Sequence, residues 1–215
     1  MSGWNKIGGC ALFPSRYLAS VGYYAALSAY DTVVIDAGMR FDKRQKSVHR
    51  CRIADTHGET YLTVPIEKPV SMTNARWKDI MVSGHGNWWH VHWETLQSAY
   101  GRTPFFEYYA DDFASLFTSD AVSKPLVGFN QQLDELLRKF FQITTAVSVA
   151  DSSELENVVD DFRLREPDFD SIEEYYQVRA AKHGFLASLS AVDLLFNMGP
   201  ESPLILSKMS SKLSR

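Results

Sequence analysis

Lys6-Ile-Gly-Gly-Cys-Ala-Leu-Phe-Pro14, Tyr17-Leu-Ala-Ser-Val-Gly-Tyr-Tyr-Ala-Ala-Leu-Ser-Ala-Tyr30 and Asp31-Thr-Val-Val-Ile-Asp36 follow one another near the start of the chain, and together they decide the fold. The first ends in a short apolar run stopped by Pro14, which predicts a buried strand. The second places apolar residues at 17, 18, 21, 24, 25 and 27, the period of a helix. The third is a β-branched run between two aspartates, which predicts a second buried strand. Strand, helix and strand within about thirty residues outline a βαβ unit and a parallel sheet.

A basic segment follows. Arg40, Lys43, Arg44, Lys46, Arg50 and Arg52 fall within thirteen residues opposed only by Asp42, with His49 among them. If Lys46 to Ile53 is extended, Lys46, Arg50 and Arg52 share one face and Cys51 and Ile53 the other. Such a face of guanidinium groups suits a phosphate or carboxylate; it equally suits a charged edge strand guarded against aggregation. Tyr61 to Ile66 alternates again across the His57-Gly58 turn, so the two runs are read as an antiparallel hairpin. Asp79 to Val82 is a further short strand candidate.

From Asn87, a candidate N-cap, the chain turns helical. Trp89, Trp93, Leu96 and Tyr100 predict one apolar face, and Pro104 ends that helix. Helices are expected over 107–117 and 130–141, and a strand over 143–149. The acid-rich stretch 154–170 reads as a solvated loop, and Asp151-Ser152-Ser153 as a turn or cap. Ser171 with Glu174 reads as a capping box for a helix over 172–182. A last apolar stretch, Phe185 to Met198, closes at Gly199-Pro200, and 207–215 reads as a disordered tail. The whole is one α/β domain over 1–206: a mixed sheet with a βαβ start, an antiparallel hairpin and a helical C-terminal half.

The 215 residues are 45% hydrophobic and 22% charged, an ordinary globular composition. Two cysteines exclude a disulfide scaffold. No apolar run reaches the roughly 18 residues of a membrane span. Met1 to Pro14 has glycines where a secretory signal has its apolar core. A cytoplasmic location is expected. The net charge of −4 divides into +3 for residues 1–107 and −7 for 108–215, which argues against a general nucleic-acid binder. No P-loop, G-x-G-x-x-G or nucleophile-elbow motif is present.

His85, His90 and His92 lack chelating spacing, and Asp168-Phe169-Asp170 is explained by a helix start; no metal site is expected. His92 remains a candidate acid or base. Asp193 and Asn197 stand i, i+4 on one helix face inside an apolar run, where a buried structural network and a functional pair are equally good explanations.

Tyr17-Leu18 with Gly22-Tyr23-Tyr24, His49-Arg50-Cys51-Arg52-Ile53, Leu62-Thr63-Val64-Pro65, His92-Trp93 with Ser98-Ala99-Tyr100, and Pro104-Phe105-Phe106 resemble blocks of the WbqC-like family. Tyr176-Gln177-Val178, His183-Gly184-Phe185 and Leu189-Ser190 through Gly199-Pro200 extend the resemblance to about residue 200. The chain departs from the pattern at Pro14-Ser15, where a Gln-Pro pair is usual, at Ala19 for a proline, and at His49 for an asparagine.

Members often lie in gene clusters for O-antigen and other surface polysaccharides. The resemblance implies a transferase that attaches an acyl or amino-acyl group to a nucleotide-linked amino-sugar. In that reading His92 is the general base and Asp193 or Asn197 orients it or the sugar. Arg50 and Arg52, helped by Lys43 and Lys46, hold phosphates, with His49 at the substrate and Tyr23 and Trp93 as an apolar or stacking wall. The expected partner is a small anionic molecule, not a nucleic acid or a membrane. The cofactor is left unknown and a homo-oligomer is left open. The alternatives are a non-catalytic binding or scaffold protein of the same pathway, and a nucleotide-dependent adenylyl-transferring enzyme, whose folds share the strand–loop–helix opening but carry histidines in a loop that has none here.

Overall fold

A computed structural model describes residues 6–151 and 157–214. Four parallel strands form the central sheet: β1 (Ile7–Pro14), β2 (Tyr30–Asp36), β5 (Ala146–Ala150) and β6 (Val158–Asp161), in the order β5-β2-β1-β6. Ala11, Leu12 and Phe13 of β1 and Val33, Val34 and Ile35 of β2 are all buried. Both strands are apolar without alternation because both faces of a parallel sheet are covered.

α1 (Val21–Ser28) connects β1 to β2 and is buried on nearly every side. It lies against α6 (Ala191–Met198) and α7 (Ser202–Ser210) as well as β2, so it needs no polar face. The antiparallel pair β3 (Arg50–Asp55) and β4 (Gly58–Thr63) forms a two-stranded sheet of its own. Its turn is Thr56-His57, with Asp55 accepting from the His57 amide. The α/β class, the βαβ start, the hairpin and the helical second half stand as the sequence predicts.

Between the hairpin and β5 lie α2 (Trp88–Tyr100), α3 (Phe106–Ala114) and α4 (Leu126–Phe140). In α2 Leu96 and Tyr100 are buried as predicted, but Trp88, His92 and Ala99 complete the buried face, while Trp89 and Trp93 are half-buried against the core. The reason is the neighbour: Trp88 and His92 stack edge-on at 5.2 Å, and Trp88 meets Phe129 of α4 at 5.4 Å. Asn87 stands at the N-cap in a left-handed conformation, φ 47°, and its side chain makes no capping bond. Residues 79–82 make only isolated bridges, Ile66 to Val82 and Met81 to Pro125.

Three further expectations are corrected. The acid-rich stretch contains β6, where Tyr30 donates to Asp160 at 2.7 Å; Ser152 to Glu156 lie outside the described residues. The helix expected over 172–182 shrinks to the single turn α5 (Ala180–His183), because Tyr175, Gln177 and Val178 donate instead to Asp193 and Asn197 of α6. The segment expected as a loose tail continues α7, and Met209 is 3% exposed. Phe169 and Leu213 bridge there as well. Among the described residues no helix is long and apolar enough to cross a membrane.

Candidate functional site

Beyond the carboxyl ends of β1 and β6 lies a cavity of about 410 Å³. The strand order reverses at β1, and ligands of open parallel sheets bind beyond the strand ends at such a reversal. One wall is the loop after β1, Arg16 to Ser20, and another is the segment after β6 that carries Glu166 and Phe169. The third is β3 and the turn before it, with Lys46, Arg50 and Arg52.

The floor is made by two helix starts. Leu18-Ala19-Ser20 and Ser188-Leu189-Ser190 are alike: Leu18 and Ser188 are left-handed, at φ 41° and 61°, and each serine two residues on caps a helix. The two segments pair antiparallel, with Val21 donating to Leu189 at 3.1 Å and Ala191 to Ala19 at 2.8 Å. Ser20 and Ser190 accept from the Tyr23 and Val192 amides. The N-termini of α1 and α6 therefore sit side by side under the cavity, each bringing a partial positive charge. Non-glycine residues at positive φ cost about 1–3 kcal/mol and gather at functional sites.

The four cations of the cavity differ in what they meet. Arg16, its side chain 7% exposed, donates to Glu166 at 2.6 Å. Arg52 pairs with Glu59 at 2.9 Å and donates to the Ser188 carbonyl at 3.2 Å. Arg50 Nε donates to Thr63 Oγ1 at 2.8 Å, and its terminal nitrogens have no hydrogen-bond partner among the described residues. Lys46 makes no ion pair among them. The two carboxylates of the cavity are both engaged: Glu166 by Arg16, and Glu173 by Lys208 at 3.3 Å and Lys212 at 2.7 Å. Phe169, Ile172 and Phe185 give the cavity an apolar side.

Of the residues singled out in the sequence, Lys46, Arg50 and Arg52 come together here. Lys43 is exposed and outside the cavity. Arg40 and Arg44 line a different crevice of about 600 Å³, where Arg44 is held bidentately by Asp42. The basic segment is thus split, because Lys46–Val48 turns as a 3-10 helix before β3 begins.

The remaining residues lie elsewhere. His49 Nδ1 meets the Val64 carbonyl at 3.1 Å; burial lowers its pKa. Tyr23 is 2% exposed and donates to the Pro14 carbonyl. Trp93 stacks between Phe106 and Phe117 at 5.8 and 6.0 Å. His92 is 5% exposed, and burial pushes its pKa down to about 4. Its ring links the Thr63 carbonyl to the Tyr17 hydroxyl, 2.8 Å from Nδ1. It is a neutral tie between α2, β4 and the loop after β1, and it does not reach the cavity lining.

Asp193 accepts from Tyr175 at 2.9 Å and Gln177 at 3.1 Å. Burial pushes its pKa up to about 6 against those hydrogen bonds. Asn197 accepts from the Val178 amide and donates to the Asp193 carbonyl. The pair pins residues 175–178 to α6 rather than facing the cavity. Among the described residues no cluster of three histidines, cysteines or carboxylates could hold a metal.

Sequence reasoning missed Arg16, Ser20, Ser190 and Tyr61. Arg16 and Ser20 had a signal, since the loop after the first strand of a parallel sheet is where ligands bind. Tyr61 had one as well, since the alternation of the hairpin puts it on the face of Arg50 and Arg52; Ser190 had none, because only the tertiary pairing brings it there.

An uncharacterized protein of Mycobacterium tuberculosis (strain ATCC 25618 / H37Rv), Rv1507c, is similar to this chain. It is 24% identical over 226 aligned residues, covering 90% of this chain and 95% of its own. No solved structure matches. The model of the WbqC-like protein family matches residues 15–165, a span that holds the loop after β1 and the whole hairpin, two of the elements that wall the cavity. On that match the chain belongs to the WbqC-like protein family.

Proposed function

We propose that the crevice binds a phosphate-bearing small molecule, a nucleotide-linked amino-sugar, and that the protein is a transferase attaching an acyl or amino-acyl group to it. One observation carries the binding reading. Lys46 and Arg50 face a cavity floored by two helix N-termini, and neither has an anionic partner among the described residues. Cations left uncompensated beside oriented amides are stabilised when an anion arrives. The transfer reading draws on the family resemblance to proteins of surface-polysaccharide clusters.

A second reading is favoured by the carboxylates. A transfer to an amine needs a group to accept its proton, yet Glu166 and Glu173 are both committed to cations. A binding protein of the same pathway needs no such group.

A thermal-shift panel of UDP-, dTDP-, GDP- and CDP-linked sugars tests the binding. A ligand at 100 times its Kd stabilises by about 2.7 kcal/mol, which in a chain of this size raises Tm by about 5 °C or more. Arg50→Ala is expected to abolish most of that shift. A shift unaffected by Arg50→Ala removes the phosphate role. Incubating a binding nucleotide-sugar with acyl donors and following its mass then separates the transferase from the binding protein.

A further inference from the structure

We infer that Tyr61 is the stacking platform for a nucleobase, so that the crevice takes a nucleoside diphosphate rather than a bare phosphate or sugar phosphate. The inference rests on the anion-site reading above and deepens it.

Tyr61 lies on β4 directly opposite Arg52 of β3, and the residue lines the cavity with Arg50 and Arg52. Residues i and i+2 of a strand share a face with the partner opposite, so Tyr61 shares the face of Arg50 and Arg52. The Arg50 guanidinium carbon is 5.6 Å from the ring centroid, which supports one face of the ring. The side chain is nevertheless 59% exposed. The other tyrosine that lines the cavity, Tyr175, is 9% exposed.

An aromatic ring kept in water beside the cations that bind phosphate offers what a nucleotide needs at its two ends. Bases stack on such rings whatever their identity, because each has a π face. Arg50 serves both ends, since Thr63 fixes its Nε and its terminal nitrogens remain for the phosphate. Phe169, Ile172 and Phe185 add apolar lining, against which a sugar or its acyl substituent would lie. The competing explanation of Tyr61 is a surface cross-strand pair that merely covers Arg50.

Titration calorimetry with inorganic pyrophosphate, UDP and GDP separates them, on the wild type, Tyr61→Ala and Tyr61→Phe. The wild type is expected to bind both nucleoside diphosphates about tenfold or more tighter than pyrophosphate. Tyr61→Ala is expected to lose that difference while its pyrophosphate affinity is unchanged, and Tyr61→Phe to keep it. Because Tyr61 is exposed, neither variant threatens folding. Equal binding of pyrophosphate and nucleotides by the wild type overturns the inference, as does a Tyr61→Ala that weakens all three ligands alike. If the wild type binds none of them, the anion-site reading itself falls, and this inference with it.

Discussion

Arg16 and Glu166 show how much one ion pair can govern. The arginine comes from the loop after β1 and the glutamate from the segment after β6, and they meet at 2.6 Å on the cavity wall. In the proposed anion-binding reading a phosphate would compete with Glu166 for the same guanidinium, and part of its binding free energy would go into displacing a carboxylate already in place. Glu166→Gln keeps the shape and removes the competing charge. It is expected to raise phosphate-ligand affinity about two- to fivefold, in line with the modest strength of a pair whose acidic partner is largely exposed. Calorimetry with UDP reads this, and an unchanged or weakened affinity shows that Glu166 does not compete. Tyr23, Trp93 and His92 make the complementary point. All three were legible as chemistry-bearing residue types, and all three are used to pack the interior: Tyr23 and His92 satisfy their polar atoms on Pro14, Thr63 and Tyr17. Residue type cannot say which side of a helix or loop meets the solvent.

The elements sort by how locally they are specified. β1, α1 and β2 were legible because their apolar runs, Pro14 and the flanking aspartates each point to the same structure. The hairpin was legible from its period of two. β6 and α7 were not, since each is stabilised by partners far away in sequence. β6 is an acidic stretch made a strand by pairing with β1. α7, whose last turn opens the Ser/Lys-rich stretch 207–215, lies on α1, where Met209 is almost fully buried. Met209→Ala leaves a cavity under α1 and is expected to cost about 2–5 kcal/mol. Urea unfolding measures it, and a loss under about 1 kcal/mol would mean that the C-terminal segment does not pack there. The capping box expected at Ser171 failed for the same reason in reverse. A local signal for a helix lost to the hydrogen bonds that Asp193 and Asn197 make to residues 175–178.

For the whole molecule, two buried groups set opposing pH trends. Asp193 has its pKa raised from 3.8 to about 6, so its contribution to stability is present below pH 3.8 and lost as pH rises through about 6. His92 has its pKa lowered from 6.5 to about 4, so its contribution is present above pH 6.5 and lost as pH falls through about 4. The two partly cancel over the same window. Asp193→Asn keeps an acceptor for Tyr175 and removes the ionisation. Its stability relative to the wild type is expected to be greater at pH 8 than at pH 4 by about 2–3 kcal/mol. Urea unfolding at the two pH values gives the comparison, and equal differences would mean that Asp193 ionises as an exposed carboxylate does. At this scale the division between sequence and structure is clear. By itself the sequence determined the α/β class, the buried βαβ start, the hairpin, and a face carrying Arg50 and Arg52, because periodicity, breakers and alternation act within a few residues. Only the tertiary structure decided which cations share a cavity and that Ser20 and Ser190 lay two helix starts side by side. Those juxtapositions join residues up to 170 positions apart, and nothing in a local pattern encodes a contact between segments that meet only when the sheet, α1 and α6 pack together.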